Sequence, residues 1–256
     1  NSGLLIWRNA NNLFNNIITA VLKVGKNKLK KFAENETFEN LFQPSFEDVF
    51  RKDHKIKGKW HKNHFKNENP IVLELGCGKG EYAVNMARMF PDKNFIGIDI
   101  KGARLWKGAK DALTNNLKNV AFVRTKIENI NSFFEHNEVS EIWVTFPDPQ
   151  PRSSKAKKRL TSSRFLSYYQ QVAKHNCLVH LKTDSQDLHE YTKALVEQNN
   201  LEIEVCTNNL YNDGTADPIL SIKTFYEGMF LEEGKPITYI RFRLDSSKQL
   251  KEPTLD

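Results

Sequence analysis

The fold is decided by the stretch Ile-Val-Leu-Glu-Leu-Gly-Cys-Gly-Lys-Gly at residues 71–80. Its first five residues form a short apolar run, which is typical of a buried strand. Three glycines spaced two apart follow directly, and apolar residues at helical spacing come after them. A strand, a glycine-rich turn and a helix in this order bring bare backbone N–H groups and a helix N-terminus close to a bound ligand. The stretch therefore predicts a nucleoside pocket at the end of a first strand.

Predicted strands and helices alternate from Pro70 onward. This alternation indicates an α/β fold whose mostly parallel, doubly wound sheet carries helices on both faces. We expect strands at 71–75, 94–100, 120–123, 141–146 and 177–182, and helices at 81–90, 102–115, 128–136, 162–174 and 185–198. Two stretches in which every second residue is apolar, near 201–205 and 240–244, complete the predicted sheet.

Composition divides the chain into four predicted segments. Residues 1–23 lack a basic start and a cleavage site, so we expect a non-native or upstream extension rather than a signal peptide. Residues 24–66 form a basic arm dotted with aromatic residues, 67–244 the main domain and 245–256 a flexible tail. Basic and aromatic side chains together suit a surface that neutralises phosphates and stacks on bases. The same pattern also fits a solvated arm whose phenylalanines pack on the domain.

Charge and cysteine content narrow the class of protein. Lysine and arginine number 38 against 31 acidic residues, a net charge of +7 that is compatible with a nucleic-acid partner. The three cysteines lie far apart without a C-x-x-C pair, which predicts free thiols in a reducing cytoplasm and no metal site. No apolar run is long enough to span a membrane, so we expect no membrane partner.

Two acidic residues near the glycine turn indicate which nucleoside binds. Glu81 stands where a dinucleotide motif needs its third glycine, and Glu74 lies two residues before Gly76. A carboxylate would repel a pyrophosphate but suits the ammonium and sulfonium groups of S-adenosylmethionine. Asp99, about 20 residues on, can accept the hydroxyls of a ribose. This pattern favours a methyl donor, and a dinucleotide dehydrogenase is the alternative.

A second informative stretch is the predicted strand that runs into Pro147-Asp148-Pro149. Residues just past a strand's carboxyl end line the ligand crevice of such a sheet, and the two prolines stiffen the loop that carries Asp148. A dense basic run follows, comprising Arg152, Lys155, Lys157, Lys158 and Arg159. A basic loop beside a crevice acid favours a polyanionic substrate over a small molecule.

Five motifs resemble those of the bacterial tRNA (guanine-N7)-methyltransferase family, in that family's order and across roughly residues 25–244. They are Glu-Leu-Gly-Cys-Gly-Lys-Gly-Glu at 74–81, Gly-Ile-Asp-Ile-Lys-Gly-Ala-Arg at 97–104, Phe-Pro-Asp-Pro at 146–149, Leu-Lys-Thr-Asp at 181–184 and Thr-Phe-Tyr-Glu at 224–227. The first motif occurs in many methyltransferases, whereas the set of five is specific.

The resemblance implies a Rossmann-like methyltransferase sheet of seven strands and methylation of a guanine N7 in the variable loop of tRNA. It implies that Asp148 is the catalytic residue, and it implies a donor site for S-adenosylmethionine made of Glu74, Gly76, Gly78, Gly80, Asp99, Lys126 and Asp148. Implied substrate contacts are Arg152, Asp184, Thr224, Phe225, Tyr226 and Glu227. Lys126 departs from the acid or amide usual near the adenine, and Gln150 and Arg152 replace a usual tryptophan and lysine.

The chemistry of guanine suggests how Asp148 would act. N7 carries no proton and has an exposed lone pair, so it can attack a sulfonium methyl group without a general base. We therefore expect Asp148, with Asp184 as a second acceptor, to orient the base and stabilise its developing charge. Two simpler roles stay open, since Asp184 also suits a helix N-cap and residues 224–227 suggest only a loop. Two alternative functions also stay open. One is methylation of another RNA base, and the other is RNA binding by a non-catalytic relative. We expect a cytoplasmic monomer or homodimer that needs no protein partner besides its tRNA.

Overall fold

The computed structural model describes residues 27–213 and 217–254. The expected upstream extension at 1–23 therefore lies outside the described residues. Within them, no helix has the length and apolar character needed to cross a membrane.

One sheet runs through the domain, with the strand order β1-β4-β3-β2-β5-β6-β8-β7. β8 is antiparallel to both neighbours, and the other pairings are parallel. The strands are β1 Leu41–Phe42, β2 Ile71–Leu75, β3 Asn94–Asp99, β4 Val120–Arg124, β5 Val139–Thr145, β6 Ala173–Thr183, β7 Ile203–Thr207 and β8 Thr238–Leu244. The described sheet therefore confirms the predicted mostly parallel α/β fold but has eight strands instead of seven. The additional strand, β1, comes from the N-terminal arm and pairs with the edge of β4.

Helices cover the sheet and connect its parallel strands. They are α1 at 27–35, α2 Phe46–Val49, α3 Glu81–Met89, α4 Gly102–Thr114, α5 Ser163–Gln170, α6 Gln186–Gln198 and α7 Phe225–Glu232. A π-helical turn at Trp60–Phe65 and 3₁₀ turns at Ile127–Ser132, Ser153–Lys158 and Pro218–Ser221 complete the described elements.

Three predicted elements differ from the structure. The helix predicted at 162–174 ends at Gln170, because Ala173 already pairs with Val139 as the start of β6. The helix predicted at 128–136 is the 3₁₀ turn Ile127–Ser132. The loop predicted at 224–227 is the first turn of α7, in which Thr224 and Glu227 form a capping box.

The core lies on both faces of β2, all five residues of which are buried. Leu73 packs into one apolar cluster and Val72 into the other, as expected for a central strand covered by helices on each side. The N-terminal arm contributes to this core. Trp60 is fully buried, donates its indole N–H to the Phe133 carbonyl at 2.9 Å and stacks on Phe134. Phe65 is buried in the same core cluster, so the packing alternative holds for this phenylalanine of the arm.

Residues 245–254, expected as part of a flexible tail, lie against α5 and α6. The Glu252 carboxylate accepts hydrogen bonds from the Ser163 hydroxyl at 2.7 Å and from the Tyr191 hydroxyl. The Gln170 amide donates to the carbonyls of Asp245 and Lys248.

Candidate active site

The glycine turn places backbone donors at the carboxyl end of β2. All three glycines have positive φ angles, between 57° and 73°, which side chains other than glycine rarely adopt. At Gly80 a Cβ atom would also overlap the ring of Phe122. At Gly78 the side-chain space is open, so the φ angle alone requires glycine. The turn therefore brings the start of α3 close against the ends of β2 and β3.

Glu74 is a buried carboxylate at the last but one position of β2. One oxygen accepts a hydrogen bond from the Thr145 hydroxyl at 2.7 Å, and the other accepts from the Ala83 amide in the first turn of α3 at 2.9 Å. Burial raises the pKa of Glu74 from its ordinary value of 4.5 to about 7, despite these two donors. A carboxyl poised in this way gains most from a cationic ligand beside it.

Asp99 ends β3 on the other side of the turn. Its carboxylate accepts hydrogen bonds from the backbone amides of Gly78 at 2.9 Å and Lys101 at 2.7 Å. These bonds orient the carboxylate at the edge of a cavity where the hydroxyls of a ribose can approach it.

Two cavities meet at Gly76. One, of about 80 Å³, is lined by Glu74, Gly78, Thr145 and Thr224 among others. The other, of about 200 Å³, is lined by Asp99, Thr125, Lys126 and Glu128 among others. The two cavities thus form one cleft, with the buried acid Glu74 at one end and Asp99 at the other.

Lys126 lies on the rim of the second cavity rather than inside it. Its side chain is exposed, and its ammonium is 5.9 Å from the centroid of the Phe46 ring. Thr125, which is buried, and Glu128 line the same cavity. The sequence motifs do not single out these two residues or Thr145. Their signal is position, because Thr125 and Thr145 are polar residues at the carboxyl ends of β4 and β5.

The Asp148 loop leaves β5 through a strained backbone. Phe146 and Gln150 have φ angles of 47° and 46°, which are unusual for residues other than glycine. Asp148 itself is exposed, and one of its carboxylate oxygens accepts the Gln150 amide at 3.1 Å. Among the described residues, the other oxygen has no hydrogen-bond donor. The loop therefore presents a carboxylate that is oriented yet available to a substrate.

The basic residues that follow Asp148 differ in their exposure to solvent. Arg152, Lys155, Lys157 and Lys158 are exposed. Arg159 is buried instead, donating to the Gln150 carbonyl at 3.3 Å and stacking over Tyr191 at 4.2 Å. Arg159 therefore holds the Asp148 loop through its bond to Gln150. Its position in a run of basic residues does not indicate this buried role.

Asp184 follows β6 at the same edge of the sheet. The cap of α6 is Ser185, whose hydroxyl accepts the Leu188 amide at 3.2 Å. The capping alternative for Asp184 is therefore wrong, and within the described residues its carboxylate accepts no hydrogen bond.

The Thr-Phe-Tyr-Glu motif divides between the cavity and the core. Thr224 lines the smaller cavity together with Glu74 and Phe146. The predicted roles of Phe225 and Tyr226 fall on side chains outside the described part of the structure. Glu227 is fully buried and faces away from solvent, so in this conformation it is not placed to contact a substrate.

A buried lysine explains the position of Glu227. The Lys182 ammonium, also fully buried, lies 2.8 Å from a Glu227 carboxylate oxygen and donates to the carbonyls of Leu220 at 2.9 Å and Ile222 at 3.0 Å. Tyr211 donates its hydroxyl to the same carboxylate. Burial lowers the pKa of Lys182, against the opposing charge of Glu227. All three ammonium donors are thus used to tie the end of β6 to the segment that carries Thr224.

Comparison with known proteins identifies the family of this chain. A protein-family model described as "Putative methyltransferase" matches residues 68–240. A tRNA (guanine-N(7)-)-methyltransferase of Christiangramia forsetii is 56% identical over 220 residues, which cover 86% of this chain and 98% of that one. The protein of the same name from Bacteroides fragilis is 51% identical over 233 residues, covering 91% and 92% of the two chains.

A solved structure of similar fold is that of a 16S rRNA methyltransferase, KamB. It superimposes with a TM-score of 0.58 at 13% identity, covering 77% of this chain and 98% of that one. At that identity the likeness concerns the fold alone, and it agrees with a Rossmann-like methyltransferase sheet. Family model and relatives together show that the chain belongs to the tRNA (guanine-N7)-methyltransferase family of S-adenosylmethionine-dependent enzymes.

Proposed function

We propose that this protein transfers the methyl group of S-adenosylmethionine to N7 of a guanine in the variable loop of tRNA, with Asp148 orienting the base. The observation that carries this proposal is the Asp148 loop. It presents an exposed carboxylate at the carboxyl end of β5, beside the cleft of Glu74 and Thr145 and directly before four exposed basic residues. The names of the relatives support tRNA as the substrate class.

The donor site is proposed to use charge at both ends of the cleft. Bound S-adenosylmethionine supplies an electrophilic methyl group. Glu74 would face its cationic amino-acid group, and Asp99 would accept the ribose hydroxyls. The three glycines allow the backbone to approach the ligand closely. Lys126, at the cavity rim, would lie near the adenine edge where an acid or amide is usual.

The acceptor needs alignment more than activation. Guanine N7 forms a bond to the methyl carbon with its own lone pair while the carbon–sulfur bond breaks, so no proton has to be removed first. Holding N7, carbon and sulfur in line can supply several kcal/mol. The purine becomes cationic as the bond forms, and a carboxylate at its edge stabilises that charge. Asp148 has one carboxylate oxygen without a donor among the described residues, which would accept the N1–H or N2–H₂ donors of guanine, and Asp184 would be a second acceptor.

The RNA is proposed to approach over the exposed basic turn at residues 153–158. Arg152 precedes this turn and offers a planar fork that can bind two phosphate oxygens at once. Thr224 would lie where the donor and acceptor meet, since it lines the smaller cavity. An enzyme with this substrate is expected in the cytoplasm, and a monomer or homodimer without another protein partner remains our prediction.

The test is incubation of the protein with methyl-labelled S-adenosylmethionine and an unmodified tRNA transcript, followed by mapping of the label. We expect label at N7 of one guanine in the variable loop. N7-methylguanine is detected by its selective strand scission after reduction. Label on another base would contradict the proposed target, and tRNA binding without label would indicate a non-catalytic relative.

A further inference from the structure

Two phenylalanines of the N-terminal arm stay on the surface while its other aromatic residues pack inward. Trp60 and Phe65 are buried, and Phe32, Phe38 and Phe42 are half-buried. Phe46 and Phe50, by contrast, are 55% and 48% exposed. Their rings stack on each other with centroids 4.8 Å apart and an interplanar angle of 29°. About half of the surface of each of these two residues therefore stays open to solvent.

Cations flank both rings. The Arg51 guanidinium lies 5.3 Å from the centroid of Phe50, and the Lys126 ammonium lies 5.9 Å from that of Phe46. Two acids lie on α2 between the rings. The Asp48 carboxylate accepts hydrogen bonds from the hydroxyl of the N-cap residue Ser45 at 2.7 Å and from its amide at 3.0 Å, and Glu47 is exposed. A ring face beside a cation suits a ligand that has both a π-face and a negative charge.

The pair lies at the same edge of the sheet as the candidate active site. Phe46 lines a cavity of about 240 Å³ together with Arg124 at the end of β4. This cavity shares Ile100, Thr125 and Lys126 with the cavity of about 200 Å³ that Asp99 lines. The surface formed by Phe46 and Phe50 is therefore continuous with the donor cleft. In the strand order it lies on the β4 side of the cleft, whereas the Asp148 loop follows β5 on the other side.

We propose that Phe46 and Phe50 form a stacking platform for an unpaired base of the RNA substrate other than the methylated guanine. Arg51 and Lys126 would neutralise the phosphates next to that base. An unpaired base is required because the faces of paired bases are covered by their neighbours in a duplex. Stacking on an aromatic side chain tolerates any base, so the platform adds affinity and alignment without sequence preference. This inference rests on RNA as the substrate class in the proposed function.

The test compares Phe46→Ala and Phe50→Ala with Phe46→Trp and with the control Met89→Ala. Met89 is 40% exposed at the far end of α3, near the opposite edge of the sheet. We expect the Kd for unmodified tRNA to rise about tenfold or more in each alanine variant. The Kd for S-adenosylmethionine and the single-turnover rate at saturating tRNA should stay within about twofold. Phe46→Trp should keep full affinity, and a photo-crosslinker at position 50 should label tRNA.

Each other outcome overturns the platform. An unchanged Kd for tRNA in the Phe46→Ala, Phe50→Ala double variant would do so, and so would a crosslink to protein alone. A loss of donor affinity would assign the rings to the adenine pocket, and a changed oligomeric state would assign them to a contact between copies. The proposed function fails separately, through a wild-type protein that binds tRNA and does not methylate it. A wild-type protein that binds no RNA would overturn both.

Discussion

Glu74 and Asp148 are carboxylic acids in opposite environments. Glu74 is buried between the Thr145 hydroxyl and the Ala83 amide, whereas Asp148 is exposed on a stiff loop. Burial disfavours the charged form of Glu74, and solvent leaves Asp148 available as an acceptor. The two residues are therefore expected to respond differently to pH and to neutral substitutions.

Donor binding is expected to weaken as the pH falls below 7. The pKa of Glu74 is raised to about 7 by burial, and a cationic ligand binds its ionised form best. The association constant for S-adenosylmethionine should fall about fivefold between pH 7 and pH 6 and about tenfold over the next unit. Titration calorimetry at several pH values measures this dependence.

Glu74→Gln should remove that pH dependence and lower the affinity at pH 7.5. The ionisation of Glu74 strengthens donor binding as the pH rises, but it lowers the stability of the folded protein. Because the folded pKa is raised, the unfolded state loses its proton first, so wild-type stability falls as pH rises from about 4.5 to about 7. The glutamine variant should not lose stability over that range. A wild-type affinity that is flat between pH 5.5 and 7.5 would contradict the buried, poised carboxyl.

Asp148→Asn is expected to lower the single-turnover rate by about 10²- to 10³-fold, because a neutral amide does not stabilise the developing positive charge. The melting temperature should hardly change, since the side chain is exposed. Asp92→Asn, in the exposed turn after α3, is the matched control and should keep the wild-type rate. Near-normal turnover of Asp148→Asn on tRNA would exclude the proposed role.

At the scale of elements, the contact between β6 and the segment 218–227 shapes the site. Lys182 lies at the end of β6, and Glu227 lies in the first turn of α7. Their ion pair, completed by the carbonyls of Leu220 and Ile222, determines where Thr224 lies against the smaller cavity. We expect the two buried charges to favour one arrangement of these elements, because separating them leaves an uncompensated charge.

Lys182→Met is expected to lower the free energy of unfolding by about 3–5 kcal/mol, since Glu227 would stay buried without its partner. Combining it with Glu227→Leu should recover much of that loss. Lys118→Met is the matched control, because the ion pair of Lys118 with Glu39 is exposed on both sides, and it should cost less than about 0.5 kcal/mol. Urea unfolding measures all three variants. Equal losses for Lys182→Met and Lys118→Met would contradict the buried pair.

At the scale of the whole molecule, the features assigned to function share one edge of the sheet. The donor cleft, the Asp148 loop, the exposed basic turn at 153–158 and the Phe46–Phe50 pair all follow carboxyl ends of strands or line cavities there. Lys118 lies instead just before β4, at the amino edge. A polyanion should therefore respond to charge at one edge and not at the other.

Binding of tRNA is expected to weaken with salt, with a linear relation between log K and log salt concentration. Lys157→Gln should reduce the magnitude of the slope by about one and weaken binding of all tRNAs alike, because Lys157 is exposed in the basic turn. Lys118→Gln should leave the slope unchanged. Fluorescence anisotropy between low and physiological salt measures both, and equal slopes for the two variants would contradict a one-sided RNA surface.

Local sequence patterns are sufficient to predict the central part of the fold. The strand predicted at 71–75 has the observed bounds, because a short continuous apolar run that ends at glycines is typical of a buried strand. The helix starting at residue 81 and the acid at the end of β3 follow from the same local rules. The sequence pattern does not predict α7, because its apolar residues do not gather on one side of a helix and its capping box also fits a loop.

The sequence by itself determined the α/β class, the glycine turn with Glu74 and Asp99, and the family. These depend on residues near one another in the chain, or on motifs in a given order. Only the tertiary structure decided that Glu227 turns inward to Lys182, that Arg159 supports the Asp148 loop, and that Phe46 and Phe50 stay exposed. Burial of these side chains depends on which distant elements pack against them, and a charge or a ring has the same local pattern whether it faces water or a partner in the core.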